Sequence, residues 1–248
     1  MTTLPEEEEL LRLESEQKTL EEKTVYSEMQ LETERVELSR FQIRYYQTIG
    51  KLYSELDKLD ARIAKIKAGE NPDDEDLKEK AKEAQEQAKK SFKESEMHKD
   101  EEIPPEITAD VKKIYRKAAM LMHPDRATNE IERKRRDSFM AKVNIAYEKG
   151  DQKLIEQLIN EFGSDPEVLT GDDIASKIVK SIRRIAQLRR RLDEVTVELE
   201  KITQLEMYQL KITIHENETM GGKPLEDLQK QLMQEISEKK IILETLKN

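Results

Sequence analysis

The chain is 248 residues long, 40% charged and 35% hydrophobic, with 4% aromatic residues, no Trp, and a formal net charge of −10. That balance excludes one large compact core of the sandwich or α/β kind. It suits helices that bury a narrow seam and leave their other faces to Glu, Lys and Gln, so the expected fold is all-α: elongated coiled-coil arms flanking a small helical domain.

Cysteine is absent, which removes disulfide frameworks and thiolate metal sites. The first residues, "MTTLPEEEELLRLESEQ", are acidic where a signal or transit peptide would be basic with an apolar run. No stretch of about eighteen apolar residues is present to span a bilayer. A cytoplasmic location with no membrane partner is the expectation. Charge is also segregated: residues 1 to 40 carry twelve Glu against five Lys plus Arg, whereas residues 111 to 150 carry eleven Lys plus Arg against five Asp plus Glu. A basic island in an acidic chain suggests an acidic partner for the middle segment.

In chain order, residues 1–70 read as an N-terminal coiled coil. Tyr45, Ile49, Leu52, Leu56, Leu59, Ile63 and Ile66 fall at alternating steps of four and three, and Leu31 and Leu38 extend that seam backward. Before Leu31 the seam weakens, because Gln17, Thr24 and Ser27 occupy positions that want apolar groups. "AGENPDDED" breaks the pattern, and residues 71–103 read as a polar helical spacer, solvated or partly disordered, with little to hold it against anything.

Residues 104–165 form the expected middle domain. Thr108 is a suitable N-cap for a helix in which Val111, Tyr115, Ala118 and Met122 make the buried stripe and Lys112, Lys113, Arg116 and Lys117 the exposed flanks. Pro124 ends that helix. Asn129 with Glu132 has capping-box spacing for a second helix that buries Phe139, Val143, Ala146 and Tyr147. Gly150 and Asp151 stop it and start a third, with Leu154, Ile155, Leu158, Ile159 and Phe162. "NEFGSDPEVLTGDD" then closes the domain.

Residues 170–248 read as a C-terminal helical hairpin or coiled coil. Ile178, Ile185, Leu188, Leu192, Val195, Leu199 and Ile202 make one seam, and Leu225, Leu228, Leu232, Ile236, Leu243 and Leu246 make a returning one. Arg183, Arg184 and Arg189 to Arg191 lie on other faces, where solvation or pairing with the acidic helices is expected. "LKITIH" alternates like a strand but has no neighbour to pair with, so helix is expected there too. The outer half of the first arm needs a cover, and the N-terminal heptads are long enough to supply it within one helical stalk. Pairing between two copies in a homo-oligomer would satisfy the same seams, so both arrangements stay open.

The segments "VKKIYRKAAMLMHPDR" and "FMAKVNIAY" together resemble the J domain of DnaJ-type co-chaperones, in which a basic amphipathic helix ends in His-Pro-Asp and a second helix packs back on it. The resemblance implies that residues 109 to 150 dock on a DnaK-type heat-shock chaperone and stimulate its ATP hydrolysis, with the coiled coils left to recognise a client or partner protein. It assigns chaperone binding to His123, Pro124 and Asp125, to the basic Lys112, Lys113, Arg116 and Lys117, and to Arg126. It also places the tripeptide on an exposed tip. Tyr115, Phe139, Ala146 and Tyr147 map to the core.

The departures from that family are specific. Leu121 replaces a usual third basic residue and Ala118 a usual leucine. The family's short first helix has no counterpart in "EEIPPEITAD", so a neighbouring coil is the candidate to cover that face. No Gly/Phe-rich segment or cysteine repeat is present, and no zinc or other cofactor is expected.

The alternative reading is a coiled-coil scaffold whose J-like unit no longer stimulates a chaperone. A nucleic-acid interface through Arg133, Lys134, Arg135 and Arg136 is disfavoured by the overall acidity and by the lack of stacking aromatics. An enzyme is not expected: His98, His123 and His215 are the only histidines, they lack metal-ligand spacing, and His98 and His215 are expected to be exposed.

Overall fold

The computed structural model describes residues 4–127, 129–163 and 173–247, and among them every regular element is helical. The close of the middle domain at residues 164–172 lies outside the described residues. The helices are α1 (Pro5–Tyr45), α2 (Lys51–Glu70), α3 (Glu75–Met97), α4 (Ala109–Met122), α5 (Glu130–Glu148), α6 (Gln152–Gly163), α7 (Ile174–Thr203), α8 (Glu206–Thr219) and α9 (Pro224–Thr245). A π-helical turn, Tyr46–Gly50, separates α1 from α2, and a 3₁₀ turn, Pro124–Arg126, follows α4. No helix among the described residues is long and apolar enough to cross a membrane.

Two compact units divide the chain, and they do not follow the chain-order domains expected above. One comprises Met1–Glu37 with Pro104–Leu205, the other Leu38–Ile103 with Glu206–Asn248.

In the first unit, α4, α5 and α6 pack around Val111, Tyr115, Ala118, Ala119, Met122, Val143, Tyr147 and Ile155, and α1 adds Val25, Met29 and Val36 to the same core. The extended segment before α4 contributes one further core residue, Ile107. The helix starts follow local rules. The Thr108 hydroxyl accepts from the Val111 amide at 3.3 Å, the Asn129 side chain accepts from Glu132 at 2.9 Å, and Asp151 accepts from Leu154 at 3.0 Å. Gly150 ends α5 at φ +61°, a conformation that favours glycine, and its amide bonds the Tyr147 carbonyl.

Helix α7 runs parallel to α1. Glu21 meets Arg184 at 3.4 Å, Glu28 meets Arg191 at 2.7 Å and Arg35 meets Glu198 at 2.6 Å, each pair 163 residues apart in sequence. The pairs advance seven residues at a time on both helices, which is the register of a parallel coiled coil. Arg184, Arg189 and Arg191 are thus partners of the acidic helix, Arg189 through Glu16.

In the second unit, the core joins Tyr45, Ile49, Leu52, Leu56, Leu59, Ile63 and Ile66 to Leu225, Leu228, Leu232, Ile236, Leu243 and Leu246. The seam of the first arm and the returning C-terminal seam meet here, within one chain. The seam from Ile178 to Ile202 lies in the other unit, so residues 170–248 do not form the expected hairpin of their own. The polar helical spacer is helical, as α3 capped by Asp74, but it is not merely solvated: it packs on α2, with Ala88 and Ser91 buried. Its sequence has few large apolar groups, but Ala and Ser allow close helix approach, and Lys58 covers the Phe92 ring at 4.0 Å. "LKITIH" lies in α8, as helix. His98 was expected to be exposed; its ring is half-buried and stacks on Tyr46 at 4.8 Å, and its Nδ1 bonds Glu101. His215 is exposed.

Candidate functional site around the His-Pro-Asp turn

Helices α4 and α5 form an antiparallel hairpin. The Tyr115 hydroxyl, near the start of α4, donates to Asn144 Oδ1 at 3.0 Å, and its ring lies 4.4 Å from that of Tyr147 near the end of α5. Burial pushes the Tyr115 hydroxyl pKa far up, so it stays a neutral donor. Tyr147 is tied to α1 as well. Thr33 spends its proton on the Met29 carbonyl at 2.7 Å, so the Tyr147 hydroxyl must be the donor in the 2.6 Å bond to Thr33 Oγ1.

His123, Pro124 and Asp125 make the turn at the α4 end. His123 has φ −56° and ψ 129°, the extended geometry that a following proline imposes, so α4 cannot continue. Two terminal carbonyls of α4 are satisfied by arginines from outside the helix. Arg126 donates to Met120 O, and Arg136 donates to Leu121 O at 2.7 Å. Arg136 is only 3% exposed, also pairs with Glu132 at 2.7 Å, and lies over the Phe162 ring. It was weighed from sequence as part of a basic cluster, whereas its place is under the turn; Arg135 likewise lies over Phe162, at 4.6 Å.

The expected exposed tip is not found. His123 is 6% exposed, and its Nε2 lies 2.9 Å from Glu28 Oε2 on α1. The Asp125 amide donates to His123 Nδ1 at 3.2 Å, which assigns the proton of the neutral ring to Nε2 and makes that atom the donor to Glu28. Burial pushes the Glu28 carboxyl up, but the hydrogen bonds from His123 and Arg191 and the charge of Arg191 outweigh it and hold the group below its usual range. The Asp125 carboxylate faces Arg184 Nη1 of α7 at 3.4 Å. The sequence offered no sign of Glu28 or Arg184 as site residues, because each is remote in the chain and sits among many similar residues.

Pro124 and Asp125 stay half-buried and border a cavity of about 670 Å³ shared with Asn129, Arg133, Arg190 and Arg191. The turn is therefore approachable from that side while its imidazole is covered. Of the basic residues, Lys113, Arg116, Lys117 and Arg126 are exposed and Lys112 is half-buried. Leu121 is half-buried against the core and Ala118 is fully buried.

Among the described residues, no group of His, Asp and Glu is arranged to hold a metal ion. The chain matches no protein-family model, no curated protein and no solved structure, so a function rests on the turn and its surroundings.

Proposed function

We propose that the α4–α5 hairpin is a J domain that docks on a DnaK-type chaperone in the cytoplasm and stimulates its ATP hydrolysis, with the coil-forming helices engaging a client or partner protein. The observation that carries this reading is the coincidence of three features on one hairpin. His-Pro-Asp closes the turn, the two antiparallel helices are held together at their far end by Tyr115 and Tyr147, and Lys113, Arg116 and Lys117 stand exposed on α4. An exposed cationic helix face steers encounter with an acidic groove, and the rigid turn then fixes one geometry of contact. The bond-breaking chemistry belongs to the partner.

The test adds the purified chain to a DnaK-type chaperone and follows ATP turnover. Stimulation is expected, with loss in His123→Gln and a reduction in the Lys113→Glu, Lys117→Glu double variant. Equal turnover with wild type and with His123→Gln overturns the reading. The alternative, a scaffold with a J-like unit that does not stimulate, is favoured by the burial of His123 on Glu28. Partner assembly through the coils without any effect on ATP turnover would establish it.

A further inference from the structure

The two functional ends of the His-Pro-Asp turn are both occupied by the chain itself. Glu28 of α1 takes the imidazole and Arg184 of α7 faces the carboxylate, so a partner using either group has to displace a contact already made. We propose that α1 and α7 form a latch over the turn, and that opening the latch exposes His123 and Asp125 for docking; this rests on the docking function proposed above.

Three observations support a closed state built to open. First, it is poorly satisfied. The Thr24 hydroxyl, on a residue 1% exposed, has no hydrogen-bond partner, and Arg184 Nη1 is buried within 3.4 Å of Asp125 without hydrogen-bond alignment. Buried polar atoms in that condition cost free energy that a fully optimised interface would not retain. Second, the packing is imperfect there, since Thr24, Met120, His123, Arg184 and Leu188 line a small void of about 10 Å³. Third, α1 and α7 meet beyond the turn as well: Glu16 pairs with Arg189 and Arg35 with Glu198, both away from the tripeptide, so the contacts at the turn are not the only ones between the two helices.

The burial of α1 on the hairpin core has a different anchor. Val25, Met29 and Val36 lie in the shared hydrophobic cluster, and Tyr147 bonds Thr33. Opening is therefore a local loosening of the turn from Glu28 and Arg184, not a departure of α1. Local openings of this kind are drawn from the least stable contacts of a structure.

The experiment compares the whole chain with a Glu28→Gln, Arg184→Gln double variant by hydrogen exchange and by chaperone ATP turnover. Exchange at the amides of His123, Asp125, Arg126 and Ala127 is expected to rise about tenfold, the change that corresponds to losing one charge-assisted hydrogen bond. Exchange at Val143 to Tyr147 should stay as in wild type. Stimulation of the chaperone should exceed that of the wild type, and adding His123→Gln should abolish it. An Arg35→Gln, Glu198→Gln control, which breaks the equivalent pair further along, should leave the turn unchanged. Unchanged exchange at the turn in the double variant, or an equal rise in the control, overturns the latch whatever the turnover assay gives. Faster exchange with equal stimulation by variant and wild type overturns its role in docking. Faster exchange with stimulation by neither protein overturns the docking function itself and leaves the latch as a property of the fold.

Discussion

Glu28 and His123 stand 95 residues apart in the chain and 2.9 Å apart in space, and the carboxylate that fixes the imidazole is itself fixed by Arg191 at 2.7 Å. One helical turn further along α1, Glu32 is also partly buried and pairs with Arg35, with Glu148 and Glu28 nearby. Burial raises both carboxyls, but the net shifts have opposite signs because their partners differ.

Burial pushes Glu32 above its usual range, and the Arg35 contact does not offset it. A raised carboxyl opposes folding once ionised, so its penalty grows as pH rises through the ordinary carboxylate range near about 4.3. Glu28 is lowered, so its contribution is present above that range and is lost as pH falls through the folded-state value. Glu28→Gln should thus destabilise at neutral pH by about 1.5–3 kcal/mol, the scale of one hydrogen bond to a charged group, and Glu32→Gln should stabilise slightly. Both differences should vanish in acid. Denaturant unfolding of the two variants from about pH 3 to about pH 7 checks the signs. Two variants moving in the same direction would contradict the electrostatic assignment.

Ala118 carries a second prediction. Next to J domains its alanine looks like a thinned core, and restoring leucine looks like repair. Ala118 is fully buried, however, and α1 fills the hairpin core with Val25, Met29 and Val36. Adding three carbons to a site already covered forces neighbours to shift, at a cost of about 1–3 kcal/mol. Ala118→Leu should lower the unfolding midpoint at unchanged denaturant slope. A rise in stability would mean that α1 packs less closely than the burial of this alanine implies.

The contrast between seams and site explains what was legible beforehand. Tyr45 to Ile66 and Leu225 to Leu246 announced themselves because a heptad seam is a local signal, set by residues three and four apart, and the two seams then meet in one core. Caps at Thr108, Asn129 and Asp151 were equally local. The start of α1 was harder, since Gln17, Thr24 and Ser27 are polar where a seam should be apolar. Glu21 and Glu28 on the same stretch find Arg184, Arg191 and His123, partners placed by tertiary structure alone. The spacer was misjudged for a related reason: Ala88 and Ser91 look too small to matter until α2 is laid against them. The burial of His123 was invisible because a helix–turn–helix taken by itself does leave its turn exposed.

The π-helical turn supplies the last prediction. Gly50 has φ −59° and ψ −37°, ordinary helical values, so Gly→Ala there should by propensity stabilise by up to about 1 kcal/mol. A Cβ at this position would instead meet Tyr46 Cδ1 at 2.8 Å, closer than such atoms approach. Tyr46 has little freedom to retreat, because its ring stacks on His98 at 4.8 Å, and Gln47 beside it donates to the His98 and Glu101 carbonyls at 2.9 and 2.8 Å. Gly50→Ala should therefore destabilise by about 1–3 kcal/mol, the cost of overpacking outweighing the propensity gain. The check is a double-mutant cycle. In a Tyr46→Ala background the clash is gone, and the same Gly50→Ala change should become stabilising. If Gly50→Ala is harmful in both backgrounds, the glycine serves the π-turn backbone and not the room for Tyr46.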